Sequence, residues 1–353
     1  MSEPSRVHGG VSPQELLAWG HAPSALLDLS VNVNPWGPHP EVARAVQQAA
    51  LGTYPQPWAA DACSALAQLC DVDRGHISVG HGSTELLWAA VSLLRGAAGP
   101  LVIAGPTFSE PQLAAHAHGV PLWEQRGRQE DGFALDLAAL SHTLEEQAAS
   151  GVYLCQPNNP DGSALPALRV RELCAAHPTR LFILDQAFLA LSERHADRAV
   201  RFPDNVLVVR SLTKEHALPG LRVGYALGAP DLIARLNARR PSWMVSNLAQ
   251  AAVIAACRQD AYVAEVRDKL RAGRAALSSA CRTLGLTVID SVAPYFLLRV
   301  PDADALRERL LARHAIGVRS CRSFGLPGYV RIAGCGPAER ERVVAALRSE
   351  VST

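Results

Sequence analysis

No two cysteines in this chain stand as a C-x-x-C pair, and none gathers with histidines in a zinc-like cluster. The eight cysteines are scattered, at positions 63, 70, 155, 174, 257, 281, 321 and 335. Several fall inside apolar helical or strand patterns, which predicts reduced, buried thiols and no metal. An excess of one charge is also missing. The formal net charge is +1 and no block of lysine and arginine stands out, which argues against nucleic acid as a partner. The N-terminus lacks a basic-then-apolar signal pattern, and no uninterrupted apolar run reaches membrane-spanning length. The expectation is a cytoplasmic protein with no membrane partner. Internal repeats and low-complexity linkers are absent too.

What is present is a chain of 353 residues, 48% of them hydrophobic, enough for one large domain and a smaller one. From about Leu101 to Gly228, strand and helix signals alternate. That pattern predicts an α/β fold, a mostly parallel sheet sandwiched by helices. From Asp231 the pattern turns to long helices, then to strand-like stretches at 286–289, 295–300 and 329–332 flanked by amphipathic helices. These read as a small α+β domain. The expected division is 1–40 as an N-terminal segment packing with the small domain, 41–235 as the large domain, and 236–353 as linking helices and small domain.

Several buried-strand runs end in chemistry. The run 205–210 leads into Ser211, Thr213 and Lys214, with Arg222 close behind. A lysine just past a buried strand, among small hydroxyls and near an arginine, suits an amine that forms a Schiff base with a carbonyl cofactor. Burial and nearby cations lower its pKa. A solvated lysine in a polar loop is the plain alternative. Ser211, Thr213 and Arg222 would then serve a phosphate. The run 181–184 ends at Asp185, where open α/β sheets bind ligands. An aspartate there pairs with a protonated pyridine nitrogen and keeps the ring an electron sink. The run 152–154 precedes a tight turn, Gln156-Pro157-Asn158-Asn159-Pro160-Asp161-Gly162, in which Asn158 is read as giving its amide to a phenolate oxygen of the same ring. Gly82, Ser83 and Thr84 open a buried helical run after the strand 77–80. Free N–H groups, the helix dipole and two hydroxyls there favour an anion, and capping by Ser83 is the simpler alternative.

In this order, PNNPDG, DQAF, SLTK and PGLRVGY resemble the fold-type I pyridoxal-phosphate enzymes of the class I/II aminotransferase superfamily, over nearly the whole chain. The resemblance implies pyridoxal 5'-phosphate as cofactor, Lys214 and Asp185 as catalytic residues, and a homodimer with shared active sites. It places Phe108 stacked on the pyridine face and Tyr54, of a Tyr-Pro step, on the cofactor phosphate of the neighbouring subunit. It also places Arg331, on an otherwise apolar strand, on the substrate carboxylate; an internal ion pair is the alternative for it. Phe188 stands where many relatives carry a tyrosine, which leaves Asn158 as the main partner of the phenolate oxygen. Finer features are His8-Gly9-Gly10, the stretch 29–35, the phenylalanine of DQAF, and CRSF before Arg331. They look more like threonine-phosphate decarboxylases of cobalamin synthesis than like histidinol-phosphate aminotransferases. That likeness implies a lyase acting on a small phosphorylated amino acid, converting L-threonine O-3-phosphate to (R)-1-amino-2-propanol O-2-phosphate. His8, Asn32 and Arg322 would then surround the substrate phosphate. The alternative is an aminotransferase of the histidinol-phosphate type.

Overall fold

The computed structural model describes residues 9–351, so His8 lies outside the described residues. The larger unit is built on seven strands: β1 Ile77–Gly80, β2 Leu101–Gly105, β3 Leu122–Arg126, β4 Gly151–Cys155, β5 Leu181–Asp185, β6 Val206–Ser211 and β7 Gly224–Leu227. They lie in the order β1-β7-β6-β5-β4-β2-β3. All neighbours are parallel except β7, which runs antiparallel to both β6 and β1. The α/β fold with a mostly parallel sheet is the one the alternating pattern predicts.

Strands β2, β4 and β6 are buried at every position, which is why they read as unbroken apolar runs rather than alternating ones. Alternate residues still part to opposite faces. Ile103, Tyr153, Ile183 and Leu207 pack with Leu86, Leu87 and Val91 of the helix Gly82–Ser92 on one side. Val102, Val152, Phe182 and Val206 pack with Leu140, Leu144, Val170 and Leu173 on the other. Each such side chain, fully buried, contributes about 1.5–3 kcal/mol. The edge strand β3 is partly exposed and carries Glu124 and Arg126, charges that discourage pairing with another chain.

The smaller sheet has strands β8 Val288–Ile289, β9 Tyr295–Arg299, β10 Arg319–Ser320 and β11 Tyr329–Ala333, in the order β10-β11-β9-β8, all antiparallel. The helix Asp260–Thr283 serves both units. Its Val263, Val266 and Leu270 pack on Ala190 and Leu191 of the larger one, and Leu277 and Cys281 lie in the smaller core.

The start of the described chain belongs to the smaller sheet's side. Leu27–Asp28 runs parallel to Ile316–Gly317. Ser12 caps the helix Pro13–Ala18 by accepting the Glu15 N–H at 3.0 Å. The Glu15 carboxylate does not answer the cap. It is taken by Arg307, 2.6 Å away. The loop that follows crosses to the larger unit, where the Asn34 N–H donates to the Lys214 carbonyl at 2.9 Å and the Asn34 side chain to that of Glu215 at 3.2 Å.

All eight cysteines are free, and among the described residues no cluster fit for a metal ion occurs. No described helix is long and apolar enough to cross a membrane.

Candidate active site

The C-terminal ends of β4, β5 and β6 open into a cavity of about 430 Å³, closed on its far side by the smaller sheet and by the loop that carries Asn32. Asp185 ends β5 at its floor. Its Oδ1 accepts the Ala187 N–H at 3.0 Å and its Oδ2 the Tyr153 hydroxyl at 2.9 Å. Burial pushes the carboxyl up to about 6, against the pull of those two bonds and of Lys214.

Lys214 stands in the short helical turn after β6, and its Nζ lies 5.9 Å from the centre of the Phe188 ring. Burial, then the charges of Arg331 and Arg222, bring its amine down to about 8, while Asp185 pulls the other way. An ordinary lysine is roughly one part in three thousand neutral at pH 7; one at 8 is about a tenth neutral.

The helix Gly82–Ser92 aims its N-terminus at the same space, and Ser83, Thr84, Thr213 and Arg222 border it. Gly82 begins that helix at φ +79°, where a Cβ would lie 2.8 Å from Arg222 Nη2. Gly224 is equally constrained, since a Cβ there would lie 2.6 Å from the Ser83 nitrogen. The helix start therefore rests directly on β7. A buried clamp holds it there. Arg240 donates to both oxygens of Glu85, to the Ser78 hydroxyl at 2.6 Å and to the Val79 carbonyl at 2.8 Å. Glu85 in turn accepts the His81 N–H at 3.1 Å, just ahead of the first turn. Ser211 stands behind this cradle. Its hydroxyl pairs with that of Thr213 at 2.6 Å, and it does not border the cavity itself.

Two expectations from the sequence need correction. The first is Asn158. Both hydrogens of its amide are spent inside the protein, on the Pro106 carbonyl at 2.9 Å and on Asp161, and its oxygen accepts from Thr107 at 2.7 Å. Asn159 borders the cavity instead. Its oxygen accepts from Arg331, which leaves its amide nitrogen as the donor. A residue before proline is biased away from helix, and that was the available signal at Asn159. The second is Arg322, whose side chain is 62% exposed and paired with Asp304 outside the cavity. Arg319, three residues earlier, borders the cavity with Ser323 and Phe324. A two-residue strand gave no alternation by which to find it. Tyr54, expected at the cofactor of a neighbouring subunit, does not border its own chain's cavity. It is 83% exposed and stacked on Trp243 at 5.2 Å.

Phe108, Asn32 and Arg331 do border the cavity. Asn32 is 5% exposed, and its Oδ1 has no hydrogen-bond partner among the described residues. Arg331 is buried on β11, directly opposite Arg319 on β10. It donates to Asn159 and, at 2.6 Å, to the Ser30 carbonyl, and lies over the Tyr295 ring. Its Nε is buried without a partner among the described residues. Arg319 donates to Ser323 at 2.7 Å. Burial and then Arg331 bring it down to about 10, so it stays charged at neutral pH. Among the described residues the hydrogen bonds of Arg331 run to an amide and a carbonyl and no carboxylate forms an ion pair with it, which speaks against the internal ion pair.

A lysine held near neutrality, a buried carboxylate facing it, and an anion cradle at a helix N-terminus make up the equipment of a pyridoxal-phosphate enzyme. The comparisons with known proteins agree. Residues 24–347 match the family described as aminotransferase class I and II, and the chain belongs to that family. A histidinol-phosphate aminotransferase of Gluconacetobacter diazotrophicus is 34% identical over 90% of this chain and 89% of its own. The histidinol-phosphate aminotransferase of Sinorhizobium meliloti, solved with pyridoxal-5'-phosphate, superposes with a TM-score of 0.87 at 26% identity, over 100% of this chain and 97% of its own. An L-threonine-O-3-phosphate decarboxylase of Porphyromonas gingivalis superposes at 0.79, also at 26% identity, over 93% and 100%. The cofactor is pyridoxal 5'-phosphate.

The expected threonine-phosphate decarboxylation is overturned by these relatives. Curated proteins 30–34% identical over most of the chain are histidinol-phosphate aminotransferases. The features that suggested the lyase were short stretches around residues 8, 32, 188 and 322. One is outside the described residues and another faces solvent.

Proposed function

We propose that this chain is a pyridoxal-phosphate-dependent aminotransferase acting on a small phosphorylated amine of the histidinol phosphate type. The observation that carries the reading is the pair of guanidinium groups, Arg319 and Arg331, opposite one another on neighbouring strands of the wall beyond Lys214. Guanidinium forks suit phosphate and carboxylate alike. Two of them accommodate the two anionic partners that a transfer reaction takes in turn, a phosphorylated amine and an oxo-acid. The names of the relatives support transfer as the reaction.

Bound pyridoxal 5'-phosphate supplies an aldehyde for the substrate amine and a ring that draws electrons from Cα. In this reading Ser83, Thr84, Thr213 and Arg222 hold its phosphate, with Gly82 leaving room for the Arg222 guanidinium. Asp185 keeps a proton at the ring nitrogen. Asn159 donates to the phenolate oxygen, and Phe108 covers one ring face. Lys214 Nζ takes and returns the Cα proton, for which its lowered pKa is suited. Arg331 and Arg319 orient the anionic ends, and Asn32 offers an unused acceptor between them and the loop. Tyr54, exposed with Leu51 and Trp243 nearby in sequence or space, fits a place against a second copy of the chain, whose cavity its hydroxyl would reach.

The test is to incubate the purified protein with histidinol phosphate and 2-oxoglutarate. Glutamate should form, and neither reactant alone should give it. Carbon dioxide released from a phosphorylated amino acid, with no glutamate formed, would overturn the proposal.

A further inference from the structure

We propose that Tyr153 is a positioning residue for Asp185, and that its hydroxyl fixes the carboxylate's rotation and charge so that the cofactor's ring nitrogen stays protonated. The inference rests on the reading of Asp185 as the partner of that nitrogen. Tyr153 is fully buried in β4, among the apolar side chains between the sheet and the helix Gly82–Ser92. In the ladder it lies opposite Ile183, and Cys155 lies opposite Asp185. The ring therefore reaches diagonally, two residues along, to bring its hydroxyl to Oδ2 at 2.9 Å.

A phenol buried this deeply is costly unless its hydroxyl is bonded. Phenylalanine would fill the same space in an apolar layer at lower cost, so the hydroxyl answers to its partner. The Ala187 N–H already holds Oδ1. One anchor leaves a carboxylate free to turn about its Cβ–Cγ bond. Two anchors on separate oxygens fix its plane and leave the remaining lone pairs directed. Both bonds favour the charged form.

The titratable groups facing Asp185 are Tyr153 and Cys155 from β4, Lys214 from the turn after β6, and Tyr295 from β9. Burial drives the two phenols and the thiol upward, so all three stay neutral. Lys214 alone among them supports the carboxylate through charge. Removing the Tyr153 hydroxyl should raise the Asp185 carboxyl further and move the shared proton away from the ring.

The experiment loads the wild-type protein and Tyr153→Phe with pyridoxal 5'-phosphate labelled with ¹⁵N in the ring. The ¹⁵N shift is then followed against pH. In the wild type the shift should report a protonated ring through neutral pH. In Tyr153→Phe the titration should move toward acid by about one pH unit, with kcat down roughly tenfold and KM little changed. Replacing Tyr153 by 3-fluorotyrosine, a stronger donor of nearly equal size, should move the titration the other way; this arm stands even if the phenylalanine variant folds poorly. An unchanged titration in either variant overturns the proposal. An unprotonated ring in the wild type would instead remove the reading of Asp185 on which it rests.

Discussion

Asp185 and Lys214 leave the ends of parallel strands in the larger sheet, while Arg319 and Arg331 face each other across antiparallel strands in the smaller one. The first pair is held in unusual states of charge. Burial raises the acid to about 6 and lowers the amine to about 8, which brings both within reach of neutral pH. The second pair keeps its charge whatever its burial, and its hydrogen bonds run to Asn159, the Ser30 carbonyl and Ser323. One side of the cavity is suited to moving protons. The other is suited to choosing anions. Variants on the two sides should therefore fail in different kinetic terms.

The largest effect falls on the first side. Lys214→Ala should remove the visible absorbance of the covalently held cofactor and lower kcat by roughly a thousandfold or more. The same change should stabilise the cofactor-free protein. A lysine lowered from 10.5 to about 8 costs stability below pH 8, because folding must strip its proton or bury its charge. That cost fades as pH rises from about 8 to 10.5, where the unfolded chain binds the extra proton. At pH 7 it amounts to about 3 kcal/mol as an upper bound. Urea titrations of both proteins, free of cofactor, at pH 7 and pH 10 would measure it. A Lys214→Ala variant no more stable than the wild type at pH 7 would contradict this account of the amine.

On the other side, Arg331→Lys and Arg319→Lys should each raise KM about 10- to 100-fold for one of the two anionic partners, with much smaller changes in kcat. Steady-state kinetics with both partners varied would show which arginine serves which. A loss confined to kcat in both variants would erase the contrast.

The clamp under the cradle comes next. Arg240→Met leaves Glu85 without its cation and should cost about 3–5 kcal/mol, as breaking a buried pair does. Equilibrium dialysis should find pyridoxal 5'-phosphate bound about tenfold more weakly. The smallest effect is expected at Arg322→Ala. An exposed ion pair of this kind is screened by water and adds little to stability, and KM should not move.

The residues that leave a long buried strand were legible, because an apolar run broken by one charged or amide group is visible in a single pass along the chain. Asp185 and Lys214 were found that way. What was not legible depended on direction or on distance in sequence. Asn158 and Asn159 are the same residue type one step apart, and only the bond from Thr107 and the bonds to Pro106 and Asp161 reveal which is spent. Arg319 lies in a two-residue strand and Arg322 in the short turn just after it, a span too short for any alternation to say which faces the cavity. Arg240 reaches Glu85 across 155 positions, and no local pattern foretells that. The apolar composition likewise foretold the sheet but not the reversal of β7, which brings Gly224 under Ser83.

The pairing of Leu27 with Ile316 joins residues about 290 positions apart. A ribosome adding about 5–20 residues each second needs roughly 15 to 60 s to make the second after the first. Throughout that interval the opening stretch has no neighbour to dock against, even where the larger sheet has already formed. The loop bearing Asn32 and Asn34 follows directly from it, so the two can settle together only once translation has passed Gly317. Synthesis thus sets an order on assembly: the floor of the cavity can take shape first, and its cover arrives with the closing of the chain.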